Sequence, residues 1–525
     1  MTTPVMRGVV EGFYGRLWDW SGRKAILEHM AQSGMNTYLY APKSDPKHRV
    51  RWREPYDDAE LKSLAQFVEH ALSLDIEPWY AIAPGLDIDP RSDEDLQALV
   101  QKLEQLVGVG FRSFALLLDD IAAALPEEQA EPFVRESSLT GASRAALALG
   151  RAHVHIANRL LPQLAEQTNW LLCPTHYWGS PFAQSETAPQ RLYLQALDDG
   201  LHERYALVMT GPAVVPPRID ASYCSSLREF FRAQRRLVLW DNYPVNDYEQ
   251  ARPLLRPLVG RGPELGACFF GVLSNPADDA HASWLPLATC FDFLARPGEY
   301  DPVRSLRAAV EQVMPQGVAE PLYRLIEQGP GGLLHMGCTP DAHTAGLAAL
   351  DGGDGQPLCA HYGQVQRDVA TVRQGLAELP EWSAGLERFL ALVDAFAASQ
   401  VAFAGLCEGD ESSERTVTQA QRAFEARAWP ALMASTLSTR LSALRDAADG
   451  QDLSALDAAE SVLAEARAAL TPEEQFFFSP AMERIHAAER ELTRALREAE
   501  ARCWPASAAK DLRRSHRQHC SWYYR

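Results

Sequence analysis

The first part of the chain alternates short apolar runs with amphipathic stretches of helical spacing. Apolar runs that lack a regular polar alternation are typical of strands buried on both faces of a parallel sheet. The pattern predicts eight such strands, at Arg7–Gly15, Met35–Lys43, Glu77–Gly85, Ser113–Asp120, Asn169–Gly179, Ala206–Val215, Arg236–Asn242 and Ala267–Asn275.

The amphipathic segments between these runs predict helices, among them Asp58–Leu74, Leu96–Val107, Gly141–Leu164 and Ser222–Arg235. Ser92, with Asp95 three residues later, is a capping-box pattern before the second of these. Eight strand-then-helix units over roughly 290 residues favour an α/β fold of the (β/α)₈ TIM-barrel type. An open doubly wound sheet is disfavoured because no phosphate-binding glycine motif follows the first strand.

The character of the sequence changes from about Asp301 onward, where strand-like runs cease. Helical spacing is found in Val303–Gln328, Gly363–Leu379, Ser383–Cys407, Ser412–Ala448, Leu453–Ala469 and Pro472–Ala499. A glycine-rich stretch, Gly329–Gly355, is predicted to be a long loop. We therefore expect a barrel domain at 1–295 and an all-α helical bundle domain at 296–500. The bundle is expected to pack on the barrel or to serve self-association, for example as a homodimer.

The last segment, 501–525, is a basic and aromatic tail in an acidic protein. It carries six basic residues against the single acidic residue Asp511 and ends in Trp-Tyr-Tyr-Arg. One interpretation is that the tail docks on the acidic surface of its own chain. The other is that it reaches a neighbouring subunit or borders the active site.

Composition narrows the classes of partner. The formal net charge of −19 argues against nucleic acid or an anionic membrane surface as the main partner, but it does not bear on a neutral ligand. Nine cysteines without a C-x-x-C pair indicate reduced thiols. We find neither an export signal nor an apolar run near the roughly 18 residues that span a bilayer, so a cytoplasmic protein without membrane contact is expected.

The main candidate for chemistry is the pair Asp119-Asp120 at the end of the apolar run Phe114–Ile121. Two neighbouring carboxylates repel when both are ionised, so one is expected to hold its proton to higher pH than the other. An acid and a base side by side are what cleavage of a glycosidic bond requires. The alternative is a helix N-cap with a second carboxylate that favours the helix dipole.

Polar or small residues also follow most of the other predicted strands. They are Glu11-Gly12, Lys43, Gly85, Thr175 through Tyr177, Asp241-Asn242 and Asn275. Barrel enzymes place their chemistry at the carboxyl ends of the strands. If the eight runs are barrel strands, these side chains meet at one rim although they lie far apart in the sequence.

Several of these segments resemble glycoside hydrolase family 84, which contains the protein O-GlcNAcases and related β-N-acetylglucosaminidases. The similar segments are Gly8–Arg16, Asn36–Lys43, Phe114–Ile121, Cys173–Tyr177, Trp240–Asn242 with Asn246–Tyr248, and Gly271–Pro276. They occur in order across the whole barrel half. The helical half carries no motif that matches.

The resemblance implies a retaining mechanism in which the 2-acetamido oxygen of the substrate attacks the anomeric carbon and forms an oxazoline. Asp119 would orient the acetamido N–H. Asp120 would protonate the departing oxygen and then act as base on water. Substrate-assisted enzymes need no protein nucleophile, so the two aspartates can be neighbours.

The resemblance also implies a set of contacts with β-linked GlcNAc. Tyr177 would hydrogen-bond near the reacting centre, Asn242 would contact the acetamido group, Trp240 would wall the acetamido methyl, and Asp247, Asn275, Lys43 and the backbone of Gly12 would bind hydroxyls. No metal and no cofactor are implied. Trp240 as a core indole, and surface charges at Lys43 and Asp247, are the alternative interpretations.

Three departures from the family pattern are Leu17 in place of a proline, His176 in place of an acidic residue, and the bulky Trp178. The last two flank Tyr177 and leave the aglycone preference open. The expected function is removal of O-linked GlcNAc from Ser/Thr of proteins. The alternatives are action on small glycosides, cell-wall fragments or a glycosaminoglycan, and a non-catalytic sugar-binding or assembly protein.

Overall fold

A computed structural model describes residues 4–164, 168–247, 252–330, 333–335, 339–405, 416–417, 419–421, 424, 453–468, 488, 491–492, 495, 520 and 523. The chain divides into two compact units. The first consists of Met1–Val245 and Pro257–Ser305, and the second of Asn246–Arg256 and Leu306–Arg525. The short segment after residue 245 therefore belongs to the second unit, which the sequence pattern did not indicate.

Eight parallel strands form a closed barrel in the order of the sequence, which confirms the predicted (β/α)₈ fold. The strands are β1 Met6–Glu11, β2 Thr37–Tyr40, β3 Glu77–Ile82, β4 Ser113–Leu117, β5 Asn169–Cys173, β6 Tyr205–Met209, β7 Leu237–Asp241 and β8 Gly271–Ser274. Pairing of Met6 with Gly271 closes the barrel between β1 and β8. Each strand is shorter than its apolar run, so most of the polar residues at the ends of the runs lie in the loops beyond.

The helices of the first unit follow the strands. They are α1 Trp20–Gln32, α2 Asp58–Ser73, α3 Asp93–Gly108, α4 Glu127–Val134, α5 Gly141–Leu160, α6 Pro189–Gly200, α7 Ala221–Phe230, α8 Leu265–Cys268 and α9 Ala280–Ala295. The Ser92 hydroxyl accepts the Asp95 N–H at 3.1 Å, as expected of an N-cap. The Asp95 carboxylate instead binds Arg53, and the complete capping box is at Asp57 and Glu60.

The helices described beyond this barrel are α10 Pro302–Val313, α11 Ala319–Gln328, α12 Asp341–Asp351, α13 Gln356–Gly375, α14 Pro380–Gly405 and α15 Ser454–Ala468. The prediction of a loop over 329–355 is wrong where α12 lies: Pro340 caps a short alanine-rich helix that ends before Gly352. The predicted Val303–Gln328 helix is interrupted at Pro315, which cannot continue a helix. Most of the predicted helices at Ser412–Ala448 and Pro472–Ala499, and most of the tail, lie outside the described residues.

Among the described residues of the second unit, one helix is long and apolar enough to cross a membrane by length and composition. This helix is α14, with a mean hydropathy of 1.2 over an 18-residue window. The expectation that no such segment exists is therefore corrected. Because 61% of the window is buried within the structure, the core of a helical bundle accounts equally for its composition.

The interior of the barrel is packed with side chains. The inner cluster includes Val10, Leu39, Ala81, Leu171 and Val238, all of them buried. Tyr177 packs against this cluster from the carboxyl end of β5. A filled interior leaves the loops at the carboxyl ends of the strands as the place where a substrate can be held.

Candidate active site

Asp119 lies two residues beyond the end of β4 and is 6% exposed. The ammonium group of Lys43, which follows β2, donates to Asp119 Oδ2 at 2.5 Å, and both side chains are buried. The other carboxylate oxygen, Oδ1, is buried and accepts no hydrogen bond from any described residue. A buried acceptor without a donor is costly, and at a functional site it indicates the place of a missing partner.

Nearby cations determine the charge of Asp119. Burial by itself would raise the pKa of its carboxyl group, but the charges of Lys43 and Arg49 lower the pKa below its usual value. Asp119 is therefore ionised near neutral pH. A charged group with one open oxygen can accept a hydrogen bond from a ligand N–H.

Asp120 points its carboxylate elsewhere because its backbone is left-handed, with φ of 53°. Tyr14 donates to Asp120 Oδ2 at 2.9 Å, and Tyr177 donates to Asp120 Oδ1 at 2.9 Å. Burial, together with the neighbouring carboxylates, raises the pKa of both phenols, so both remain hydrogen-bond donors. The two aspartates thus have separate partners although they are adjacent in the chain.

The structure rules out the helix-cap interpretation of Asp119 and Asp120. The next helix, α4, begins only at Glu127, with Pro126 at its N-cap and no side-chain cap bond. The two carboxylates are instead bound by Lys43 and by two phenols. They lie beyond the carboxyl end of β4 and form a candidate site there.

Three of the other predicted site residues form a chain of hydrogen bonds. Gly12 N–H donates to Asn275 Oδ1 at 3.3 Å, and Asn275 Nδ2 donates to Asn242 Oδ1 at 2.9 Å. Asn242 Nδ2 donates to the carbonyl of Val214 at 2.8 Å. Residues directly after β1, β7 and β8 are thereby joined to the loop after β6, and the orientation of both amides is fixed.

Trp240 connects this amide chain to the aspartates. A Cβ atom added at Gly12 would lie 2.1 Å from Trp240 Cζ2, so glycine is required for the indole to approach the backbone. The Lys43 ammonium lies 5.7 Å from the centroid of the Trp240 ring. The buried indole belongs to the inner cluster of the barrel, as the core interpretation of Trp240 expects, and it also lies close to Gly12 and Lys43; Lys43 is buried and is not a surface charge.

Some polar residues expected at the rim do not face the site. Glu11 is fully buried and pairs with Arg23 at 2.8 Å, and Asp241 pairs with Arg261 at 2.7 Å. Both pairs stabilise the ends of strands. Asp247 is half-buried and belongs to the segment of the second unit, so its contact with the sugar stays a prediction.

Sequence reasoning missed Tyr14 and Arg49. Tyr14 lies inside the segment Gly8–Arg16 that carries the family resemblance, but it was not singled out. Arg49 lies in the loop that follows Lys43 and donates to the main-chain carbonyl of Asp120 at 2.8 Å. A buried arginine that donates to a main-chain carbonyl produces no recognisable motif in a single sequence.

No metal centre is evident in the part of the chain that the structure describes, where no three His, Cys, Asp or Glu side chains are grouped. His153 Nδ1 lies 2.8 Å from the Tyr193 hydroxyl and is buried in the core. Cys173 is buried, and burial raises the pKa of its thiol, which disfavours a reactive thiolate.

The fold and the site together are those of a glycosidase of the barrel class: two carboxylates with separate partners, and fixed amides beside an indole wall. The sequence model described as beta-N-acetylglucosaminidase matches residues 7–327. The chain belongs to this family, the glycoside hydrolases of family 84.

Known relatives agree with this assignment. The chain is 36% identical to protein O-GlcNAcase of Rattus norvegicus, and equally to that of Mus musculus, over 282 residues. These residues are 54% of this chain but 29% of the relatives, so the chain matches less than a third of their length.

Two solved structures share the fold. An O-GlcNAc hydrolase mutant from Thermobaculum terrenum matches with a TM-score of 0.63 and 23% identity, over 96% of this chain and 97% of that one. The protein CpGH84B matches with a TM-score of 0.64 and 23% identity, over 80% of this chain and 74% of that one.

Replacing Gly12 with alanine should destabilise the barrel by about 1–3 kcal/mol, because the added methyl overlaps the Trp240 ring. The measurement is the free energy of unfolding of the barrel domain. Gly108→Ala is the control, since a Cβ there meets no atom within 4 Å. Equal stability of Gly12→Ala and the wild type would contradict the close contact.

The ion pair of Asp119 should make stability depend on pH. Folding lowers the pKa of Asp119 below its unfolded value of 3.8. The contribution of Asp119 to the free energy of unfolding is therefore fully present above pH 3.8 and is lost as the pH falls through the lower pKa of the folded state. Asp119→Asn should therefore be less stable than the wild type by about 3 kcal/mol near neutral pH. Thermal unfolding between about pH 7 and about pH 3 should show this difference shrinking; a difference that grows toward low pH would refute the ion pair.

Proposed function

We propose that this protein is a retaining exo-β-N-acetylglucosaminidase in which the 2-acetamido group of the substrate is the nucleophile. The observation that carries the proposal is the open Oδ1 of Asp119, a buried acceptor beside a carboxylate oxygen that Lys43 already binds. An acetamido N–H is a donor of the right kind for this oxygen. The indole of Trp240 and the amide of Asn242 would surround the rest of the acetamido group.

The first step breaks the glycosidic bond. The acetamido carbonyl oxygen attacks the anomeric carbon, and the bond from this carbon to the leaving oxygen breaks. Asp120, in its protonated form, gives its proton to the leaving oxygen, while ionised Asp119 holds the acetamido N–H and offsets the positive charge that develops on the ring. The product of this step is an oxazolinium ion, the N-protonated oxazoline whose N–H Asp119 still holds, formed without a protein nucleophile.

The second step restores the enzyme. Water adds to the anomeric carbon on the face from which the aglycone left, and the oxazoline opens. Asp120 takes the proton of the water and is ready for the next cycle. Two displacements at the same carbon retain the β configuration. The acetamido oxygen attacks from the face opposite to the leaving oxygen, and each carboxylate acts on a different group of the substrate, so neither carboxylate has to attack the anomeric carbon.

The substrate class we propose is GlcNAc linked to Ser/Thr of proteins. The support is the likeness to relatives named protein O-GlcNAcase, at 36% identity over the matched residues. Comparing GlcNAc release from a modified protein with release from a free glycoside tests this choice. A strong preference for small glycosides or cell-wall fragments would contradict the proposed substrate class but not the proposed mechanism.

An aryl β-N-acetylglucosaminide should be hydrolysed, whereas the matching aryl β-glucoside, which has no acetamido group, should survive. The readout is release of the aryl group, together with NMR of the first sugar product, which should be the β anomer. Comparable turnover of both glycosides would rule out catalysis by the acetamido group.

Asp120→Asn should lower kcat/KM by about 10²–10⁴ for aryl groups that leave poorly and much less for those that leave well, because only poor leaving groups need protonation. Asp119→Asn is the matched control and should lower kcat/KM for all leaving groups alike, since it acts on the acetamido group. If the two variants gave the same dependence on the leaving group, the roles assigned to the two aspartates would be wrong.

A further inference from the structure

Arg49 is a buried cation whose hydrogen bonds go to the main chain. Its residue is 4% exposed. Its guanidinium donates through Nη1 to the carbonyl of Asp119 at 3.4 Å and through Nη2 to the carbonyl of Asp120 at 2.8 Å. Arg49 pairs with no carboxylate side chain of the described residues, unlike Lys43. The charge of Arg49 acts on a nearby carboxylate, since it helps lower the pKa of Asp119, yet its hydrogen bonds go to main-chain carbonyls, and this choice of partners needs an explanation.

The two carbonyls bound by Arg49 flank the strained residue of the site. Asp120 is one of two non-glycine residues with positive φ in the described chain, at 53°, and Asp75 is the other, at 58°. Asp75 is exposed and follows the end of α2, where a left-handed residue is common. Asp120 follows a buried strand and ends no helix. A left-handed aspartate is strained and persists where its surroundings hold it.

The left-handed turn is what separates the two carboxylates. With it, the Asp119 side chain reaches Lys43 and the Asp120 side chain reaches the two phenols. Since the carbonyls of Asp119 and Asp120 belong to the peptide groups on either side of Asp120, two hydrogen bonds from one planar guanidinium fix both peptide groups. A relaxed, right-handed Asp120 would carry its carboxylate away from Tyr14 and Tyr177.

The loop that carries Arg49 is itself fixed. His48 Nδ1 lies 2.7 Å from the carbonyl of Ala81, and Asp45 accepts the Tyr56 hydroxyl at 2.7 Å. Both contacts are buried; the first ties the loop to β3, and the second joins two residues of the loop that follows β2. The guanidinium is therefore held in place before any substrate arrives.

We infer that Arg49 is a positioning residue that holds the left-handed turn at Asp120 and so keeps the acid apart from the acetamido-binding carboxylate. This inference rests on the proposed function. Arg49 touches no reacting atom. It acts through the main chain of the catalytic pair, and its planar fork, not only its charge, is what the turn requires.

Arg49→Lys separates the fork from the charge, because lysine keeps the charge but lacks the planar pair of donors. We expect kcat/KM to fall about 10²-fold for poor leaving groups and less for good ones, as a displaced acid predicts, with KM little changed. Arg51→Lys is the matched control. Arg51 lies two residues after Arg49 and forms an exposed ion pair with Glu54, so this variant should retain wild-type kinetics. Wild-type kinetics of Arg49→Lys for every leaving group would overturn the inference.

A double-mutant cycle separates positioning of the acid from a general structural effect. In the Asp120→Asn background, Arg49→Lys should lower kcat/KM for poor leaving groups far less than it does in the wild type, because no acid remains to be displaced. A full additional loss would refute positioning of Asp120. If Asp120→Asn alone lost activity equally for all leaving groups, the proposed role of Asp120 would fail instead.

A stability measurement tests the same point without catalysis. Glycine adopts a positive φ without strain, so in Asp120→Gly the turn no longer needs to be held. Arg49→Lys should therefore lower the thermal midpoint less in the Asp120→Gly background than in the wild type. This comparison of thermal midpoints tests whether Arg49 holds the turn even if Arg49→Lys is poorly folded at the assay temperature. Equal losses in both backgrounds would show that Arg49 does not hold the turn.

Discussion

The site depends on the ion pair between Lys43 and Asp119, which share a 2.5 Å hydrogen bond in a buried place at the mouth of the barrel. Lys43 engages one oxygen of the carboxylate and, with Arg49, lowers the pKa of Asp119, so that the group is charged where burial alone would neutralise it. The second oxygen remains unpaired. An electrostatic interaction within the protein thus keeps a charged acceptor open, and we propose that a neutral N–H donor of the ligand binds there.

The barrel supplies the rigidity that this arrangement needs. The strands are parallel, so their carboxyl ends lie at one end of the barrel, and the loops beyond carry Lys43, Asp119, Tyr177 and the two asparagines, which are distant in the sequence. The left-handed backbone at Asp120 then turns two neighbouring carboxylates toward different partners. In the mechanism we propose, the substrate brings its own nucleophile, so such a neighbouring pair is sufficient for both displacements.

Much of the fold could be predicted because buried parallel strands are continuous apolar runs and their ends are polar. The pair Asp119-Asp120 was found in this way. The separate orientation of the two carboxylates could not be predicted, since it depends on one φ angle and on contacts from Tyr14 and Arg49, which are distant in sequence. The sequence pattern did not predict helix α12, because the glycines on either side of it indicate a loop more strongly than its alanines indicate a helix.

The central claim is that the open oxygen of Asp119 receives the acetamido N–H of the substrate. A crystal structure with a stable bicyclic mimic of the GlcNAc oxazoline tests it most directly. The mimic's ring nitrogen should lie within hydrogen-bonding distance of Asp119 Oδ1, with Lys43 still bound to Oδ2 and the methyl group against Trp240. A complex in which Asp119 Oδ1 meets a sugar hydroxyl, or remains empty while the ring nitrogen binds elsewhere, would contradict the account.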